Sequence, residues 1–165
     1  MIIAHVICPG CGLDLPGDAL AEAWNASAAC RQTCDELTAG YTLTLGDAEF
    51  IHQLVVDAYA ASHIGPASKP IGVVFAVVGL CLVNEHGYTG RQVQLAHMRM
   101  ARRKELWPAW APPAARAALT VWDVVRTPPE RRQIAIKQWS AAMWQTWQPR
   151  REEVEHVARE HAGWI

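Results

Sequence analysis

The chain has almost no net charge: 15 basic residues stand against 16 acidic ones over 165 positions. Without a global field, nothing holds it electrostatically on DNA, RNA or an anionic membrane, so nucleic acid is disfavoured as a partner. It also lacks an apolar run long enough to span a bilayer. The longest, Ile71 to Val83, is uncharged, but a transmembrane helix needs about 20 such residues, so the run is expected as a buried core segment and no membrane partner is expected. No lysine or arginine precedes Cys8, and Met1 to Val6 is too short for a secretory leader; the expected compartment is a reducing cytoplasm, with thiols free or metal-bound. Five cysteines are an odd number, which argues against a fully paired disulfide framework. Internal repeats, low-complexity linkers and a complete catalytic signature are all missing, so any chemistry has to be found in isolated constellations.

What is present suits a packed core. With 51% hydrophobic residues, the expectation is one globular domain over 1–165, mainly α, a compact helical bundle. Its first 40 residues form a thiol-rich, irregular or extended segment packed on the helices. Asp18 to Gly40 reads as one or two short helices stopped by Gly40. Asp47 can cap the next, in which Phe50, Ile51, Leu54, Val55, Ala58 and Ala61 recur at helical spacing until Gly65-Pro66. The length of the Ile71 to Val83 run favours a buried helix over a strand. Thr89 starts a segment in which Arg91, Arg99, Arg102, Arg103 and Lys104 accumulate, read as a solvated helix face. Three prolines and two tryptophans between Trp107 and Pro113 make a stiff connector, because proline fixes φ and has no backbone donor. Thr120 and Thr127 are cap candidates. Ile136, Trp139, Met143 and Trp147 then form a helical stripe, and Pro149 interrupts it before Val154, Val157 and His161 continue on a last helix. Such tryptophan stripes more often build a core or a homo-oligomer interface through these C-terminal helices than a ligand cage.

The chemical signal is Cys8-Pro9-Gly10-Cys11-Gly12. Two cysteines separated by two residues place both sulfurs on one tetrahedral ion, because Pro9-Gly10 turns the chain and Gly12 lets amides approach the thiolates. Cys30 and Cys34, four apart on one face of an expected helix, offer the second half of a four-thiolate zinc site. The competing chemistry is thiol redox, but no helix follows Cys11 and no βαβ pattern is present. Cys81 reads as a small buried hydrophobe.

A second constellation lies on the helix after Asp47, where His52, Val56, Tyr59 and His63 form a stripe opposite the apolar face. A simple surface helix would be polar there, so this one is expected to pack on both faces or to line a cavity or metal site. His52 and His63 are eleven positions apart, about 16 Å along a helix, so they cannot share one metal. His52 is a candidate for completing the thiol site. His63 can instead favour the C-terminal dipole, and Asp57 can orient a ligand histidine or cap a neighbouring helix.

Cys8-Pro-Gly-Cys-Gly, Asn25-Ala-Ser-Ala-Ala-Cys30 and His52-Gln-Leu-Val-Val-Asp-Ala-Tyr-Ala-Ala-Ser-His63 together resemble an uncharacterised bacterial family, a domain of unknown function. The resemblance extends through Gly79-Leu-Cys-Leu82, the aromatic-proline connector and Leu119-Thr-Val-Trp-Asp-Val124. It implies a compact helical domain whose characteristic polar residues match Cys8, Cys11, Cys30, His52, Asp57, Tyr59 and His63. Cys34 departs from the family pattern, as does the Glu85-His86 pair, so His86 is read as incidental to this chain. Using motif-matching positions alone, the expected Zn²⁺ ligands are Cys8, Cys11, Cys30 and His52. The expected function is a zinc-binding helical protein whose metal is structural and holds the N-terminal segment on the His52 helix. The alternatives are a zinc-dependent enzyme with an open metal position and His/Asp acid–base groups acting on a small molecule, a thiol redox protein, and a metal-independent small-molecule binder.

Overall fold

The structure, a computed structural model, describes residues 4–17, 25–103 and 106–163; the expectations placed on 1–3, on 18–24 and on Lys104 lie outside them. The chain opens with two short antiparallel strands, β1 (His5–Ile7) and β2 (Asp14–Pro16), paired in the register His5 to Pro16, Val6 to Leu15 and Ile7 to Asp14. Among the described residues, the elements after them are all helices.

Ser27 accepts a hydrogen bond from the Cys30 amide and so starts α1 (Ala28–Leu37), satisfying one of the amides a helix N-terminus leaves open. Gly40 does not stop this segment: the chain runs on through it in a wider π turn, Thr38–Thr42. The Asp47 carboxylate caps the next segment by accepting from the Ile51 amide, and α2 (His52–Ser62) follows, a few residues later than the cap alone suggests. The apolar run is helical, α3 (Pro70–His86), with proline in the first turn and Gly87 at φ 66° closing the end, a conformation glycine adopts without steric cost. Thr89 and Gln92 form a reciprocal capping box for α4 (Gly90–Ala101), and Thr120 and Asp123 form another for α5 (Val121–Val125). Thr127 closes α5 instead of opening the next helix, its hydroxyl donating to the Asp123 carbonyl. A 3₁₀ turn, Pro129–Arg131, leads into α6 (Arg132–Trp147), and a second, Gln148–Arg150, absorbs Pro149 before α7 (Arg151–His161).

The core forms around α3, which packs on α2, α4, α6 and α7. A helix apolar on all sides has to be surrounded, and Val74, Val77, Val78, Leu80, Cys81 and Leu82 are all fully buried. From α6 the whole stripe Ile136, Trp139, Met143 and Trp147 is buried as well. The fold is thus compact and mainly α, with the hairpin and α1 set at one end of α2.

Candidate metal centre

Four donors from three places meet at the hairpin. Cys8 follows β1 directly and its amide donates to the Leu13 carbonyl, while the Gly12 amide donates back to the Cys8 carbonyl, so Cys8 and Cys11 sit on one tight turn. Gly12 has φ 78°, the left-handed region such a turn needs. Cys30 comes from the first turn of α1. The fourth donor is His63, the C-cap of α2. Cys11 Sγ and Cys30 Sγ are 3.8 Å apart, Cys30 Sγ and His63 Nε2 are 3.4 Å apart, and one ligand atom from each of the four lies within 4.8 Å of all the others. Cys8, Cys30 and His63 are buried, and Cys11 is half-buried.

His63 is held for this task. Its Nδ1 lies 2.7 Å from the Tyr59 carbonyl, which can only accept, so Nδ1 carries a proton and Nε2 is the nitrogen turned to the thiols. Ser62 Oγ is a further 3.0 Å neighbour of Nδ1. The Tyr59 ring stacks on the imidazole at 3.9 Å, and its hydroxyl lies 3.6 Å from Cys30 Sγ.

The thiols polarise one another. Hydrogen bonds from Cys11 and then Cys30 hold Cys8 far below the usual thiol range, so the first negative charge settles there. Cys30 is pushed up correspondingly, by its bonds to Cys11 and Cys8 and by burial. Burial pushes His63 down, but its bonds to Cys11, Cys8 and the Tyr59 carbonyl outweigh that and carry it to about 9. A thiolate beside an imidazolium at a mostly buried site is prepared for a cation: a metal can replace the shared protons and take the lone pairs they leave.

Of the residues read from the sequence as ligands, the structure brings Cys8, Cys11 and Cys30 together and leaves His52 out. His52 sits at the opposite end of α2, where its Nδ1 shares a 2.8 Å hydrogen bond with Thr42 Oγ1 and its ring meets Phe50 edge-on. Because the two ends of α2 are about 16 Å apart, docking the hairpin at one end decides between the histidines. Cys34 is also outside the set; it is buried, and burial pushes its thiol up to about 12. Asp57 does not orient His63: its Oδ1 accepts from Gln53 Nε2 at 3.0 Å. Of the stripe on α2, Tyr59 and His63 are buried, whereas His52 is half-buried and Val56 is exposed.

A scan against family models matches residues 6–148 to the model described as Family of unknown function (DUF5946). The chain belongs to this family. The DUF5946 match begins just before the thiol turn and ends just after α6, so it contains all four clustered donors. Comparison with curated proteins and with solved structures gave no match. Among the described residues no helix is long and apolar enough to cross a membrane.

A second group, Cys81, His86 and Glu155, also has donor atoms within 4.8 Å of one another. Its acid already has a partner, since Arg151 Nε lies 3.1 Å from Glu155, and the same guanidinium also lies 3.1 Å from Glu85. Cys81 is fully buried, as expected of a small core hydrophobe.

Gly10 shows how closely the hairpin docks on α2. A Cβ at this position would stand 2.6 Å from the Asn25 carbonyl oxygen and 2.8 Å from the His63 Cα. Both are backbone atoms, so nothing can swing aside. Gly10→Ala is therefore expected to cost about 1–3 kcal/mol and to weaken metal affinity through displacement of His63, checked by competition with a chromophoric chelator. Unchanged affinity would show that the turn is not seated on His63.

Proposed function

We propose that the chain binds one zinc ion through Cys8, Cys11, Cys30 and His63, and that the ion is structural, fastening the hairpin and α1 to the C-terminal end of α2. The observation that supports this reading is metric. Zinc in a tetrahedral site has sulfur at about 2.3 Å and nitrogen at about 2.0–2.1 Å, so adjacent sulfurs stand about 3.8 Å apart and a sulfur–nitrogen edge is about 3.5 Å. The Cys11–Cys30 and Cys30–His63 separations are 3.8 Å and 3.4 Å. Three thiolates and one imidazole complete a four-coordinate shell and leave no open position, which favours a structural ion over a catalytic one. Soft sulfur donors select zinc over magnesium or calcium.

A structural ion is also what this part of the molecule lacks otherwise. Each strand has three residues, and an isolated hairpin of that size is marginal in water. Elemental analysis of protein purified without added metal should find about one zinc per chain, with only Cys34 and Cys81 left as uncoordinated thiols. No metal, with all five thiols titratable in the native state, would sink the reading.

A further inference from the structure

Three of the four clustered donors are sealed in and one is not. Cys8, Cys30 and His63 are buried, whereas Cys11 is half-buried and lines a cleft of about 250 Å³. Connector residues 112–117 and Met143 and Thr146 of α6 line it as well. Arg116 brings a guanidinium to this cleft and lays it against the thiol turn: a Cβ at Gly12, next to Cys11, would stand 3.0 Å from Arg116 Cζ. Cys34 and Cys81 are also buried, so Cys11 is the one thiol of five that is not. The cleft is several times the roughly 30 Å³ that one water occupies, which suits a small reagent and excludes another protein's thiol or disulfide.

Cys11 also has a second thiol within reach. Its Sγ lies 3.8 Å from Cys30 Sγ, so a bond between them needs an approach of about 2 Å. A redox-sensing cysteine combines thiolate character and access with a resolving thiol beside it. Access and the resolving thiol are in the geometry, and thiolate character comes with a bound ion, because a coordinating thiol is deprotonated. Cys11 belongs to the hairpin turn and Cys30 to α1. A bond between them ties those two pieces together and takes two ligands from the metal site.

We propose that Cys11 is a modification site for hydrogen peroxide, with Cys30 as its resolving thiol, and that their oxidation opens the metal site; this rests on the zinc reading above. The Cys11 thiolate sulfur attacks one peroxide oxygen, an S–O bond forms as the O–O bond breaks, and the departing hydroxide takes a proton to become water. The Cys30 thiolate then attacks the Cys11 sulfur, an S–S bond replaces the S–O bond, and a second hydroxide leaves and is protonated. Two thiolates lose two electrons, the peroxide gains them, and two protons are consumed. Cys8 and His63 alone no longer complete a four-coordinate shell, so the hairpin stays on α1 and loses its tie to α2.

The test uses the protein as purified, its zinc content measured first. During titration with hydrogen peroxide, a chromophoric chelator should read about one zinc released per peroxide consumed, and dithiothreitol should restore binding. After acid quenching and blocking of free thiols, cleavage before Asp14 and after Arg31 puts Cys11, Cys30 and Cys34 on separate peptides. Mass spectrometry should find Cys11 joined to Cys30 and Cys8 blocked as a free thiol. Cys34→Ser, which leaves all four donors in place, should release zinc within about twofold of the wild-type rate. Protein that holds no zinc overturns the metal reading and this proposal together. Zinc that stays bound in excess peroxide, release with a Cys8–Cys11 or Cys30–Cys34 bond, or slow release in Cys34→Ser overturns the peroxide site and leaves the metal reading standing.

Discussion

His63→Ala is expected to lose the metal and His52→Ala to keep it, although both histidines lie on the same helix and the same stripe. The difference follows from place: His63 Nε2 is 3.4 Å from Cys30 Sγ, whereas His52 is bonded to Thr42. Structural zinc contributes about 10–16 kcal/mol of apparent folding free energy in small zinc modules, so losing a ligand, or stripping the ion with a chelator, should be the largest perturbation this fold can receive. Its reach should be uneven. Cys8 and Cys30 belong to the same buried cluster as the helices, but α2, α3 and α6 also pack directly on one another, so far-ultraviolet circular dichroism should keep most of its helical signal. The hairpin amides, including the Cys8 amide that donates to Leu13, should meanwhile lose protection against hydrogen exchange. Metal content of the two variants decides the point. Retention in His63→Ala with loss in His52→Ala would reverse the assignment.

Trp139→Ala should lower stability by about 3–5 kcal/mol, the usual cost of removing a fully buried tryptophan and leaving a cavity. Trp139 is 1% exposed and belongs to the core cluster with Ile136, Met143 and Trp147. For a chain of this size the melting temperature should fall by roughly 10 °C, measured by thermal unfolding with zinc content unchanged. Trp139→Phe should cost far less. Among the described residues the Trp139 indole nitrogen has no hydrogen-bond partner, so phenylalanine removes ring volume but none of these bonds. A wild-type melting temperature in Trp139→Ala would show that the α6 stripe is not the structural centre of the helices.

The helices were largely readable because their signals are local. Thr89 with Gln92 and Thr120 with Asp123 are reciprocal caps that act within four residues, and the uninterrupted apolar run 71–83 has no stable place except a core. Thr127 was misread because a threonine hydroxyl serves either neighbour: it bonds back to the Asp123 carbonyl instead of forward. Gly40 was misread as a stop because glycine only permits termination, and here the chain widens into a π turn. At the site, the Cys8–Cys11 turn is a short-range geometric statement and was readable. The choice of His52 over His63 was not, because both satisfy the helical pattern equally. The signal that favoured His63 was its position at the helix end, where the ring leaves the helix surface and Nδ1 can turn back onto the Tyr59 carbonyl.

The sequence alone determined the α class, the Thr89 and Thr120 caps, the buried run and the pairing of Cys8 with Cys11, since each depends on contacts within about one or two turns of chain. The tertiary structure decided which end of α2 receives the hairpin, and with it the exchange of His52 for His63 and the exclusion of Cys34. It also decided that Asp57 faces Gly79 across the α2–α3 interface beside an open cavity. Those outcomes depend on how rigid helices dock, and residues that are equivalent along one helix become inequivalent only when a second surface is laid against it.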